Sequence, residues 1–300
     1  MVSDPPSTSR ASSPRAPPVM HLSVLYLYPV KSLAGISVPS ASLDAYGLVG
    51  DRRFLVVDDT GRFLTQRTLP RMALIQTALD ATHLTLSVSP SLLPSFSAPS
   101  TLRVPRASDP TAPLRSVSVW QSENLQAEDC GDEAADFLSS FLATPCRLVR
   151  QGPAFNRPIF KSTAHAGDVV SFADGYPLLV VNESSLADLN DRLIARGSEA
   201  LSMDRFRPNL VIADAPAFAE DTWPRIKIND AVLRAGGPCA RCSMTTVDQA
   251  TGAFEGPEPL RTLATYRRDA TEPTHVNFGQ NLIPETKSAT LRVGDTVTFP

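Results

Sequence analysis

Two cysteines, Cys239 and Cys242 in GGPCARCSMTTVDQATG, bracket Arg241 and are the sharpest chemical feature of this 300-residue chain. Thiolates bind soft metals and exchange with disulfides, so a CxxC pair admits several chemistries. Half of a zinc site is one, but zinc needs two further ligands, and Cys130 with Cys146 do not form the second tight pair of a zinc ribbon. A thioredoxin-like redox pair is another. That motif opens a helix, whereas Pro238 precedes this one and β-branched Thr245, Thr246 and Val247 follow it. A third chemistry uses one thiolate as a soft metal ligand while the neighbouring guanidinium holds an anionic cofactor.

Elsewhere, Lys31-Ser32 in YPVKSLAG, Arg52 in GDRRF, and Arg207 with Asn209 in FRPN set cationic, hydroxyl and amide groups at turns between apolar strands. Each alone reads as a solvated turn residue. Together with Arg241 they are one candidate set for a phosphate-and-pterin cradle, arginine offering paired donors and lysine a point charge. On the residues alone the zinc, redox and cofactor readings all stay open. Asp248, opening the DQATG turn, is expected to bond its own backbone rather than move a proton, and His165 sits beside Gly167-Asp168 in a loop; neither is assigned as a general acid.

The elements that would position these residues are mostly short strands. HLSVLYLYPV alternates apolar and polar residues, and RFLVVDD and RFLTQR flank Asp58-Asp59-Thr60-Gly61 as a hairpin. MALIQTAL, HLTLSVS and SVSVWQ continue the pattern, and the Pro- and Ser-rich stretch from Pro90 to Pro113 reads as a loop. Gly131 to Leu142 spaces Phe137, Leu138, Phe141 and Leu142 as a helix with Asp132 as its cap. YPLLVV is a buried strand candidate. NESSLADLNDRLIARG predicts a helix capped by Ser184 or Ser185, with Leu186, Leu189 and Leu193 inward and Gly197 closing it. FRPNLVIAD, PRIKIND, AVLRAGG and SMTTVD predict four more strands or strand ends, PLRTLATYRR a short helix, and ATLRVGDTVTF a Gly-centred hairpin. The expected fold class is mainly β (α+β), with β-barrel-like domains and helices packed outside.

Composition narrows the function. A net charge of -3 supplies no field for a polyphosphate backbone, which argues against nucleic acid. Four unevenly placed cysteines do not make a secreted disulfide framework, and no stretch reaches the roughly 18 apolar residues of a membrane span. Arg10, Arg15 and the serines of the opening segment have the flavour of a mitochondrial presequence, but Asp4 and five prolines oppose its amphipathic helix. Residues 1–20 are therefore expected to be a disordered tail, and the chain cytoplasmic, with a mitochondrial site or the periphery of the mitochondrial outer membrane as the alternative.

Taken in order, YPVKS, GDRRFLVVD, ADGYPLLVVNESSLADLN, FRPNLVI, CARCSMTTVD and FGQN make the chain resemble proteins that join a MOSC N-terminal β-barrel domain to a MOSC domain, such as the mitochondrial amidoxime-reducing component and its bacterial relatives. The resemblance runs from LYLYPVKS to VGDTVTF. It implies a MOSC N-terminal domain over residues 21–146 and a MOSC domain over 147–300, with the cofactor site between them. It implies that Cys242 ligates the molybdenum of a molybdopterin cofactor and that Lys31, Ser32, Arg52, Arg207, Asn209 and Arg241 hold its pyranopterin and phosphate. The implied activity is reduction of small N-oxygenated compounds such as amidoximes and hydroxylamines. Because the sequence has no four-cysteine iron–sulfur cluster of plant-type spacing, electrons are expected from cytochrome b5 and cytochrome b5 reductase or an equivalent donor. The alternative is a cofactor carrier or sulfur-transfer module, since molybdenum-cofactor sulfurases end in a similar domain pair with a CxRC. Three features depart from the family pattern: Gly175-Tyr176 where hydroxyl residues are frequent, Ala240 where serine is common, and Asn281 in place of an aromatic residue.

Overall fold

The computed structural model describes residues 19–92 and 99–300. The tail expected over residues 1–20 lies outside the described residues except for its last two, as does part of the loop expected from Pro90 to Pro113. That loop also contains a strand, Thr101–Pro105.

The chain is mainly β with few helices. Its largest sheet has eight strands in the order Val297–Thr298, Arg225–Ile228, Ala231–Ala240, Asn277–Pro284, Leu178–Asn182, Leu210–Ala213, His21–Leu27 and Ile36–Ser37. It curls until its ends meet. His21 bridges Thr296, and the Gly294 and Val297 amides donate to the Leu22 and Met20 carbonyls, so the start of His21–Leu27 bonds directly to the segment that enters Val297–Thr298. Closure of this kind removes the unpaired edges that an open sheet would expose.

Alternation in the apolar run YPLLVV explains its position. Leu178 and Val180 point into the barrel core with Leu25, Ile212, Ile226 and Leu282. Leu179 and Val181 point outward beneath Leu189 and Leu193 of the helix Glu183–Ala195. A strand covered on both faces needs a continuous apolar run. That helix carries the chain over to the parallel neighbour Leu210–Ala213. Its cap is Asn182 and not Ser184 or Ser185: the Asn182 Oδ1 accepts from the Ser184 amide at 3.1 Å. Ser185 instead lies inside the first turn and donates to the buried Glu220 carboxylate at 2.9 Å.

A second body is built on a four-stranded sheet, Phe54–Val57, Arg147–Arg150, Ser122–Asp129 and Leu114–Val119, with a three-stranded one, Gln76–Leu79, His83–Ser87 and Thr101–Pro105, beside it. The helix Asp132–Leu142 buries Phe137, Leu138, Phe141 and Leu142 between them. Burial of each such side chain is worth about 1.5–3 kcal/mol, enough to hold an 11-residue helix that would be marginal alone. Asp132 does not cap it. Gly131 is the cap residue, and Asp132 pairs with Arg147 at 2.8 Å.

Pairing crosses the sequence boundary near residue 146 in both directions. His21–Leu27 joins the barrel, Ser40–Asp44 pairs with Thr290–Arg292, and Arg147–Arg150 joins the sheet of Phe54–Val57. The expected terminal hairpin around Gly294 is likewise split, because Thr290–Arg292 and Val297–Thr298 pair with different sheets. SMTTVD is a turn and not a strand. Thr245 and Thr246 hydroxyls donate to the Cys242 and Ser243 carbonyls at 3.0 and 2.8 Å, closing a 3-10 turn over Ser243–Thr246.

Candidate active site

One mouth of the barrel and the adjoining turns enclose a cavity of about 150 Å³. Its walls come from far apart in sequence: the turn after His21–Leu27, the turn before Phe54–Val57, the segments leading into Leu178–Asn182 and Leu210–Ala213, and the end of Ala231–Ala240. All seven residues singled out from the sequence line it: Lys31, Ser32, Arg52, Arg207, Asn209, Arg241 and Cys242. So do Gly175, Tyr176, Ala240 and Asn281, the positions that depart from the family pattern.

Three of the seven are held in left-handed backbone, Ser32 at φ 67°, Arg52 at 46° and Arg207 at 53°. Such conformations are uncommon for non-glycine residues and persist only where surrounding structure imposes them, often at functional sites. Here the imposition is visible. The Arg52 amide donates to the Tyr28 carbonyl at 2.7 Å, and its guanidinium reaches Asp51 at 2.7 Å, Asn209 Oδ1 at 3.0 Å and the Arg207 carbonyl at 3.3 Å. Asn209 is wholly committed to this framework, also accepting from the Leu179 amide and donating to the Tyr26 carbonyl. The fully buried Tyr28 ring lies between two guanidiniums, with Arg52 Cζ 4.3 Å and Arg207 Cζ 4.2 Å from its centroid.

The field in the cavity is positive. Lys31, Arg52, Arg67, Arg207 and Arg241 line it against a single carboxylate, Asp174, with Asp51 behind Arg52. Burial pushes Lys31 down to about 8, against the opposing pull of Asp174. Burial likewise lowers Arg207 to about 10. Burial alone would raise Asp174; Lys31 and Arg67 more than offset it and hold the carboxyl below its usual range. Among the described residues, four buried polar atoms of lining residues have no partner: Ser32 Oγ, Arg67 Nη1, Arg207 Nη2 and Arg241 Nε. Unpaired buried donors cost about 1–3 kcal/mol each or more when charged, so a group of them marks a place where an anion or acceptor belongs.

The two cysteines of CARC have different surroundings. Cys239 packs against the Phe206–Phe278 cluster and accepts from Arg241 Nη1 at 2.9 Å. Burial pushes its thiol up, against the opposing effect of Arg241. Cys242 accepts from Arg67 Nε at 3.2 Å. Cys130 and Cys146 lie against the core beneath the helix Asp132–Leu142, and among the described residues no cluster of three or more histidine, cysteine or acidic side chains is placed to hold a metal. Asp248 does not line the cavity: it accepts from the Ala250 and Thr251 amides and pairs with Arg205. His165 is exposed, and its amide is bonded to Asp168.

Three residues at the site were missed. Arg67 lies in RFLTQR, Trp120 at a hairpin tip in SVSVWQ, and Asp174 before GYPLLVV; all three stand within stretches that read as strands or strand entries, and none reads as a site residue. No local pattern distinguishes them, because their roles come from meeting one another. Asp174 links the Lys31 ammonium, Arg67 Nη2 at 3.3 Å and Trp120 Nε1 at 3.1 Å.

Comparison with known families matches a MOSC N-terminal beta barrel domain over residues 19–145 and a MOSC domain over residues 167–298. The chain is 38% identical over 287 residues to the mitochondrial amidoxime-reducing component 1 of Mus musculus, covering 91% of this chain and 80% of that protein. It is 35% identical over 286 residues to the same component of Homo sapiens, covering 91% and 81%. A molybdenum cofactor sulfurase of Danio rerio is 32% identical over 301 residues, covering 90% of this chain but 35% of the sulfurase. A paired match along nearly the whole chain and relatives covered over most of their length lead to one conclusion: this chain belongs to the family of proteins that join a MOSC N-terminal beta barrel domain to a MOSC domain.

Proposed function

We propose that this chain is a molybdenum-cofactor oxidoreductase that reduces small N-oxygenated compounds. The observation that carries the reading is the cluster of unpartnered buried donors, Ser32 Oγ, Arg207 Nη2 and Arg241 Nε, in a cationic cavity that also exposes the Cys242 thiol. A pterin bearing a phosphate and a sulfur-ligated metal is a chemical fit for that set. In this reading Cys242 ligates the metal, while Lys31, Ser32, Arg52, Arg207 and Arg241 meet the phosphate and pterin. Asn209 acts behind them by holding Arg52. The chain divides near residue 146, with the site between its two parts.

When bound, the cofactor supplies the two-electron cleavage of an N–O bond, with the amine or amidine and water as products. The chain supplies the rest. Its fixed guanidiniums bind and orient without reorganising, because their positions are set by Tyr28, Asp51 and Asn209. Arg241 joins the Phe206 carbonyl to the CARC loop at 2.7 Å and so fixes the entry of Cys242. Asn281 donates to the Gly237 and Pro238 carbonyls at 3.1 Å each, steadying the backbone just before the first cysteine.

The relatives' names, amidoxime-reducing components, favour N-reduction, and cytochrome b5 with its reductase, or an equivalent donor, would supply the electrons. Those names are also mitochondrial, which favours the mitochondrial alternative over the cytoplasm. No helix among the described residues is long and apolar enough to cross a membrane. The sulfurase match favours a second reading, a module that carries cofactor or sulfur without turnover. Protein made in a cofactor-competent host decides between them: molybdenum bound together with benzamidoxime reduction by reduced viologen supports the reductase, and molybdenum without turnover supports the carrier. Absence of molybdenum from the wild-type protein overturns both.

A further inference from the structure

Among the described residues one donor reaches the sulfur of Cys242, and it comes from the other half of the chain: Arg67 Nε, at 3.2 Å. The guanidinium is held from two further sides. Its Cζ stacks 4.7 Å from the centroid of the Trp120 ring, and its Nη2 lies 3.3 Å from Asp174 Oδ2. Trp120 is itself braced, with Nε1 donating to Asp174 Oδ1 at 3.1 Å and Phe63 edge-on at 5.1 Å.

The placing of Trp120 is hard to explain by stability. It forms the tip of the hairpin between Leu114–Val119 and Ser122–Asp129 at φ 56°, where glycine or asparagine costs less, and it leaves 49% of its surface exposed. A strained backbone that presents a half-exposed indole is accounted for by what the indole holds in place. Here that is the flat face of the Arg67 guanidinium, together with the Asp174 carboxylate that holds its Nη2.

We propose that Arg67 is a positioning residue for the metal ligand, donating Nε–H to the Cys242 sulfur and keeping that sulfur directed into the cavity, with Trp120 and Asp174 as its supports. The proposal rests on the molybdenum reading above and adds a residue to it. Outer partners of a ligating atom orient it and tune the metal. A hydrogen bond and positive charge at a ligating sulfur withdraw electron density, which stabilises the reduced metal and raises its potential.

The contact is tested first without cofactor. In the cofactor-free protein the arginine Nε–H resonance of Arg67, assigned by its loss in Arg67→Lys, is expected to be protected from solvent exchange. It should shift on Cys242→Ala and stay unmoved on Cys239→Ala. A resonance that exchanges like free arginine, or ignores Cys242→Ala, overturns the contact. In molybdenum-loaded protein, Arg67→Gln is compared with wild type per bound molybdenum, because Arg67 Nη1 is itself one of the unpaired donors lining the cavity. Its one-electron potential should fall by about 59 mV or more, a tenfold change in equilibrium constant. Its kcat should fall about tenfold or more with KM within about threefold, the signature of an effect on chemistry and not on uniform binding. Trp120→Phe, which keeps a stacking face but loses the indole N–H, should fall between Arg67→Gln and wild type. An unchanged potential in folded, loaded Arg67→Gln overturns the tuning role. Absence of molybdenum from the wild-type protein overturns the cofactor reading alone, since the resonance measurement stands on the cofactor-free protein.

Discussion

Arg241 directs Nη1 to the Cys239 sulfur and Nη2 to the Phe206 carbonyl, and leaves Nε buried without a partner. Its removal takes away a charged donor facing the cavity and a brace between two loops. Loss of one member of a desolvated charge pair costs about 2–5 kcal/mol of binding, so Arg241→Ala is expected to fold but to be purified nearly free of molybdenum. Wild-type metal content in that variant would show that the cradle does not depend on it. The two cysteines beside it separate by surroundings. Cys242→Ser should abolish N-reduction, because a hydroxyl is a poor substitute at a site built for soft sulfur. Cys239→Ser, in the Phe206–Phe278 cluster, should keep a substantial part of both activity and molybdenum. A zinc site or a dithiol pair needs both sulfurs equally, so equal and complete loss in two folded variants revives those chemistries.

At the scale of elements, the turn after His21–Leu27 transmits packing into the site through Tyr28. A methyl group added at Gly35 would overlap the Tyr28 ring, and that ring is fully buried between Arg52 and Arg207, so it cannot swing away. Gly35→Ala is therefore expected to destabilise by about 1–3 kcal/mol, the usual cost of overpacking, and to lower molybdenum content through displaced guanidiniums. Urea unfolding and metal analysis on the same preparation check both. The helix Glu183–Ala195 offers a contrasting case remote from the cavity. Its cap Asn182 also donates to the Ala215 and Pro216 carbonyls, so Asn182→Ala loses the cap and leaves buried acceptors unpaired, about 1–3 kcal/mol, with molybdenum binding retained in the folded fraction.

Across the whole molecule, stability should depend on pH through carboxylates shifted in opposite directions. Asp129 is buried, which would raise it, but hydrogen bonds from Arg147 and Arg115 bring it down to about 2. A depressed carboxylate stabilises the fold above its unfolded pKa, and that contribution is lost as pH falls from 3.8 through about 2. Glu220 is raised by burial despite bonds from Ser185 and Asn182. Its sign is opposite: folding favours the protonated acid, so stability is greatest below the ordinary glutamate range and declines as pH rises through the folded value. Glu220→Gln is thus expected to raise the melting temperature near neutral pH and to lose that advantage in acid, while wild type and variant both lose stability as Asp129 protonates. A melting temperature for Glu220→Gln equal to or below wild type at neutral pH contradicts the assignment.

The sequence by itself determined the strand-rich class, both main helices, the Asp58–Gly61 hairpin and the seven residues that meet in the cavity. Those features are written locally: a two- or four-residue hydrophobic period, a turn dipeptide, or a motif in which a cation follows an apolar strand. YPLLVV is the clearest case: a short apolar run bounded by Pro177 and a helix cap reads as a buried strand, and both its faces are covered. Tertiary structure alone decided what pairs with what. His21–Leu27 keeps its sequence neighbour Ile36–Ser37 on one side but takes the distant Leu210–Ala213 on the other, and the terminal segments around Gly294 part to join different sheets. Arg67, Trp120 and Asp174 became visible only when three distant segments met, because a positioning role lies in distances between side chains, and no spacing along the chain encodes a distance across it.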